Sequence, residues 1–178
     1  MLPRKGFDKL NHLAEYVSVS GPASPNQFDS TLAFTRAPNK LAYAYWQSCC
    51  GEHPMPSRTD LNPIAMKQFT SHIGLVEVRE DRKGAYYIRR AGSQWENVYG
   101  AMTGKYLSEF LPPAVAQTWI EAFDHVRFSK APVRLTARVD FKEKTWLSIE
   151  MLIAPLGERE SVTMLLTSFV SWSRTALY

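Results

Sequence analysis

The chain has 178 residues, 45% of them hydrophobic and 21% charged, with a formal net charge of +4. That length suffices for one domain with an arm, and such a domain buries roughly 70% of its unfolded surface, so it needs neither a disulfide nor a metal to fold. The Lys and Arg residues are scattered, unlike the dense basic stripe of a nucleic-acid binder, and no apolar run approaches the roughly 20 residues of a membrane span.

Residues 1–38 read as an N-terminal arm or helical appendage. Leu10, Leu13, Ala14 and Val17 recur at helical spacing, and Gly21, Pro22 and Pro25 break that pattern. Residues 39–178 read as the main domain. It opens with a helix from Asn39 to a stop at Gly51, with Leu41, Ala44, Tyr45 and Ser48 on one face. A loop carrying Pro54 and Pro56 follows. Pro63 then suits the first turn of a short helix, whose apolar face is Ile64, Met66, Phe69 and Ile73.

Residues 74–79 alternate as a strand, residues 80–84 turn, and residues 85–91 return as a strand rich in aromatic and β-branched side chains. Ser93 can cap a helical turn over 94–99. Pro112 and Pro113 open a longer helix over 114–128, with Val115, Trp119, Ala122, Phe123 and Val126 as its apolar face. Strands over 133–141, 145–156 and 161–172, joined by short turns, form an antiparallel meander. Five strands with a segregated helical side make an α+β domain. The last strand is apolar on both faces, so both must be covered. One cover is the domain's own helices; the other is the N-terminal helices or a second subunit, which predicts a homodimer.

The two cysteines, Cys49 and Cys50, are adjacent. They lack disulfide geometry and metal-ligand spacing, so they read as reduced thiols of a cytoplasmic protein. No apolar signal core follows Arg4 and Lys5. The sequence contains no Gly-x-Ser-x-Gly, no phosphate-binding glycine loop and no His-Glu-x-x-His. Asp124 and His125 are helix neighbours and point about 100° apart. The chain therefore reads as having no enzymatic site.

Three blocks, in order, resemble a subfamily of stand-alone PAS domains, PAS family 5. The first runs from Tyr45 to Pro63, with Pro56, Arg58, Asp60 and Pro63 as its Pro-x-Arg-x-Asp-x-x-Pro pattern. The second, Tyr86 to Pro112, carries Arg89, Ala91 and Gly92, then Gly100, Thr103, Gly104, Leu107 and Leu111. The third, Ser148 to Leu156, ends in Ala154-Pro155-Leu156. Relatives often carry a charged pair where this chain has Ala101 and Met102. The resemblance implies a PAS-like five-stranded antiparallel sheet with helices on one face and an N-terminal helical extension. It also implies a small cavity between sheet and longest helix, and a sensory or regulatory role.

That cavity gives a candidate ligand site: Trp95, Tyr99, Trp119, Phe123, Trp146, Met151 and Met164 as apolar lining, with Tyr87 and Arg89 on one strand face and Arg89 as a forked donor to an anion. The alternative is a filled core in which Arg89 pairs with Glu77 or Glu150. The cofactor is unknown. In haem-binding PAS domains a histidine on the long helix ligates iron, which makes His125 a possible ligand; the alternative is a partly exposed helix histidine. Residues 93–111 lack the cysteine of light-driven flavin sensing. The expected partners are a small-molecule ligand or a regulatory protein, with no nucleic acid and no membrane. A purely structural interaction domain is the other reading.

Overall fold

One antiparallel sheet of seven strands organises the molecule, seen in a computed structural model that describes residues 27–173 apart from Arg82, Lys83, Asp140, Thr145 and Arg159. The amphipathic stretch Leu10–Val17 lies outside the described residues. The strands are β1 (Gln27–Asp29), β2 (Ile73–Asp81), β3 (Gly84–Arg90), β4 (Lys105–Tyr106), β5 (Val133–Arg138), β6 (Leu147–Glu158) and β7 (Ser161–Ser173). Their order across the sheet is β1-β5-β6-β7-β2-β3-β4. The five predicted strands are the interior five. β1 and β4, of three and two residues, are too short to show alternation and form the two edges.

Three helices lie on the sheet: α1 (Ala37–Cys50), α2 (Ser93–Tyr99) and α3 (Pro113–Ser129). Alternation along the strands sends neighbours to opposite faces. Leu135, Met151 and Phe169 stand in register on one face, where α2 and α3 cover them. Glu150, Leu152, Ala154 and Leu156 of β6, with Leu166 and Ser168 of β7, stand on the other. α1 covers that second face over β6 and β7, so the central strands are buried on both sides.

Two readings of the N-terminal half change. The side of α1 turned to the sheet is Asn39, Ala42 and Trp46, while Leu41 is 45% exposed and Ala44 and Ser48 face outward. Periodicity alone did not mark the inward face, because the sheet beneath presents a carboxylate, which the polar Asn39 meets. The short helix after Pro63 reduces to a 3₁₀ turn, Lys67–His72. Met66, Phe69 and Ile73 are buried as expected, but Ile64 is 81% exposed.

Two glycines set close approaches. A Cβ on Gly92 would stand 2.2 Å from Ser71 O, and one on Gly74 would stand 2.4 Å from Thr167 Oγ1 and 2.9 Å from the Trp95 ring. Both positions let a neighbour lie directly on the backbone. The first explains the Ala91-Gly92 motif; the second lets the Trp95 indole lie flat against β2.

Candidate functional site

Between the sheet and α2/α3 the side chains are aromatic and touch one another. The Trp95 ring lies 5.7 Å from Trp119 and 6.0 Å from Phe169; Tyr99 lies 5.8 Å from Trp119 and 6.1 Å from Phe169; Trp119 lies 5.9 Å from Phe123. These spacings are those of mutually packed rings. Trp95, Phe123, Phe169 and Met151 are all less than 2% exposed. The compartment predicted to hold a cavity is thus occupied by contacting rings. Thr167 Oγ1, on the same face, is buried and has no hydrogen-bond partner among the described residues.

The nine predicted ligand residues do not converge. Trp95, Tyr99, Trp119, Phe123 and Met151 belong to this ring cluster. Met164, Tyr87 and Arg89 lie on the opposite face, because Met164 pairs with Glu77 and Tyr87 with Glu77 across the ladder. Trp146 is 51% exposed in the β5–β6 connection. His125 stacks on Phe28 of β1 at 4.9 Å, away from the rings, and Asp124 instead accepts the Tyr86 hydroxyl at 2.5 Å. Burial first, and then that carboxylate, push the Tyr86 phenol well above its ordinary range.

On the opposite face the chemistry is polar. Glu150 is fully buried. Its carboxylate accepts from Thr35 N–H (2.9 Å), the Thr35 hydroxyl (2.8 Å), Arg36 N–H (2.9 Å), Asn39 Nδ2 (3.1 Å) and Arg134 Nε (2.8 Å). Arg134 also reaches Asp29 at 3.3 Å. Burial alone would raise the Glu150 carboxyl, but the two backbone N–H donors, the Thr35 hydroxyl and Arg134 outweigh it and hold it below the ordinary carboxylate range. Thr35 and Arg36 immediately precede α1, whose first N–H groups have no partner within the helix. A strand carboxylate therefore anchors the entry to α1. At the far end, Trp46 Nε1 donates to Pro155 O at 2.9 Å, a carbonyl within the Ala-Pro-Leu motif.

Farther along the same face α1 no longer covers the sheet. Glu77 accepts from Arg79 and from Arg89, the latter at 2.6 Å. Arg79 stacks over the Tyr87 ring at 3.6 Å, and Tyr87 meets Tyr106 edge-on at 5.2 Å. Burial would raise the Glu77 carboxyl; the two guanidinium groups hold it low. Arg89 keeps 57% of its side chain exposed. Sequence reasoning named Tyr87, Arg89 and the Glu77 pairing but missed Arg79 and Tyr106, whose tie is the short β4 edge.

The remaining motifs are structural. Asp60 accepts from the Ser57 N–H and hydroxyl at 2.7 and 2.8 Å, and Pro56 O accepts from Gly157 N–H at 3.0 Å. Glu96 accepts from Met102 N–H, Thr103 N–H and the Thr103 hydroxyl. Met102 is fully buried, which is why an apolar residue stands there. An open depression of about 400 Å³ runs along Phe110, Leu111, Pro112, Phe141 and Lys142. Among the described residues no group of three or more His, Cys, Asp or Glu side chains could hold a metal ion, and no helix is long and apolar enough to cross a membrane.

A family model described as "PAS domain" matches residues 34–170. Among solved structures, the chain is similar to an RNA-binding Light-Oxygen-Voltage receptor at 16% identity and a TM-score of 0.40, over 65% of this chain and 35% of that one. It is also similar to the light state of the LOV domain of the blue-light photoreceptor Aureochrome1, at 9% identity and a TM-score of 0.40, over 64% of this chain and 91% of that one. The chain thus spans about a third of the length of the first. No curated protein matches.

Proposed function

The chain belongs to the PAS-domain family, whose members are generally sensory or regulatory, and from that premise we propose that it is a non-catalytic regulatory module of signal transduction that works through surface contacts. The observation that carries this reading is the ring cluster of Trp95, Tyr99, Trp119, Phe123 and Phe169, which occupies the space where a small ligand would sit. A ligand there would have to displace rings that touch one another and are buried.

The contact surface is the outer side of β2, β3 and β4. Tyr87, Arg79 and Arg89 are residue types that dominate protein interfaces. The partner this face fits is a second copy of the chain. Glu77 is flanked by two guanidinium groups, so a two-fold axis through the face sets each Arg89 near the other chain's Glu77. In this reading the module works in the cytoplasm.

A second reading keeps a small ligand between sheet and α3, and the unpartnered Thr167 hydroxyl favours it. Native mass measurement of the purified full chain distinguishes the two. The surface reading expects the polypeptide mass or its double, with no visible absorbance. Extra mass that disappears on denaturation would overturn it in favour of a bound ligand, and a Soret band would point to haem. Light scattering on Arg89→Glu checks the face: the dimer should dissociate. A dimer indifferent to that change would remove this face from the proposal.

A further inference from the structure

Beyond the start of α1, the face of the sheet that carries Glu150 presents a guanidinium without a partner. Ser148 on β6 pairs with Arg138 on β5 and with Trp172 on β7, so the three form one row on that face. Among the described residues no helix covers the row. α1 meets Glu150 through Asn39 and Pro155 through Trp46, so it runs along β6 away from Ser148. Arg36, at the entry to α1, lies over the Trp172 ring, its guanidinium carbon 3.7 Å from the ring centre. Its side chain meets no carboxylate among the described residues, and its Nε is buried without an acceptor. Arg134, by contrast, is paired with both Asp29 and Glu150. The Ser148 hydroxyl also has no side-chain partner among the described residues, and Arg36, Ser148 and Trp172 are all half-buried. A half-buried guanidinium left unpaired calls for an acceptor.

We propose that Arg36, Ser148 and Trp172 form a receptor for one carboxylate, supplied by an acidic segment of a partner protein. Three observations select this occupant. The first is size. Ser148 is small and stands between two long side chains whose strands are about 10 Å apart, so the notch admits the head of a single side chain. The second is charge and shape. Stacking on Trp172 fixes the guanidinium plane, and its terminal N–H groups match the fork of a carboxylate, with the Ser148 hydroxyl as a further donor. Arg36 brings a single positive charge, which suits a carboxylate, whereas phosphoryl groups are met by clusters of arginines. Exposed Lys40, one turn along α1 from Arg36, adds to the attraction. The third is the flank. Trp146, 51% exposed and two residues before Ser148, offers an apolar anchor for residues beside the acidic one. Occupancy bears directly on α1, because the Arg36 N–H is also a donor to Glu150 at 2.9 Å. The receptor lies on β5–β7, apart from Arg89 on β3, so it stands or falls independently of self-association through that surface.

The indole N–H resonances of the isotope-labelled full chain test this, with a hexaglutamate peptide as probe and hexaglutamine as its neutral control. Hexaglutamate should shift the Trp172 signal saturably and leave that of Trp95, inside the ring cluster, in place; hexaglutamine should move neither. Arg36→Gln keeps the backbone N–H that Glu150 accepts and should weaken hexaglutamate binding at least about tenfold. Ser148→Ala should weaken it about threefold, and Arg89→Gln, on the other surface, should leave it unchanged. An unmoved Trp95 signal in each variant shows that the fold is kept. Three outcomes overturn the proposal. One is a Trp172 signal that hexaglutamate does not move. Another is binding that survives Arg36→Gln, which assigns it to diffuse charge. The third is a saturable Trp172 shift with inorganic phosphate at lower concentration than with hexaglutamate, which assigns the notch to a phosphoryl group.

Discussion

The two faces of the sheet are covered by different means. α2 and α3 are held by rings that touch over a broad area, an interaction that is non-directional and grows with area. α1 adds directed contacts to the burial of Ala42 and Trp46: Glu150 at its entry and Trp46 Nε1 to Pro155 near its other end. The carboxylate face fixes one position and orientation for α1, because five donors must meet two oxygens at once. The first arrangement supplies bulk stability; the second specifies placement and depends on pH.

The comparison is broken most directly from the ring side. Trp95→Ala should destabilise the domain by about 3–5 kcal/mol, measured by urea unfolding, with little change in how stability depends on pH. A loss below about 1 kcal/mol would mean that the rings are loosely packed and the face is a cavity after all.

Glu150→Ala leaves Arg134 and two backbone N–H groups buried without their acceptor, which should cost about 3 kcal/mol. Glu150→Gln separates charge from shape. The Glu150 carboxyl titrates lower in the folded chain than in the unfolded one. Its contribution is therefore fully present above the ordinary glutamate range and is lost as pH falls through the depressed folded value. In the wild-type chain stability should fall on acidification below about pH 4.5, the ordinary value for Glu, and in Glu150→Gln that acid limb should flatten. An unchanged acid limb would assign the pH dependence to other carboxylates and remove the contrast between the faces.

Tyr86→Phe removes the hydroxyl that Asp124 accepts and should cost about 1–2 kcal/mol in the same urea unfolding measurement. The smallest effect belongs to Arg89→Ala. An exposed ion pair adds little stability, so its midpoint should stay within experimental error while subunit number changes.

How much of this was legible in the sequence follows from the same contrast. The ring face announced itself through periodicity: four of the five residues predicted for the apolar face of α3, Trp119, Ala122, Phe123 and Val126, are buried, while Ala116 is buried in place of the half-exposed Val115. The last strand's two faces were assigned correctly by alternation, Leu165, Thr167 and Phe169 against Met164, Leu166 and Ser168. The carboxylate face was opaque. Glu150 stands in an apolar strand and bonds residues 114 and 115 positions away, a separation at which no local pattern exists. Glu150 was considered only as a partner for Arg89, which pairs with Glu77 instead. For the same reason the inward face of α1 could not be read: its buried Asn39 is polar in isolation. The candidate ligand set mixed two faces because the side to which β3 turns Tyr87 depends on a register that only pairing with β2 and β4 sets.

β1 is three residues long, yet its alternation gives each side of the sheet one anchor: Phe28 against His125 on α3, Asp29 against Arg134 beneath α1. It is also what closes the margin of β5, through the pairs Gln27–Thr136, Phe28–Leu135 and Asp29–Arg134. If β1 peels away, the amides of β5 are laid bare as a template on which a foreign strand can add. A three-residue fastening thus decides whether this flank of the molecule is sealed or adhesive.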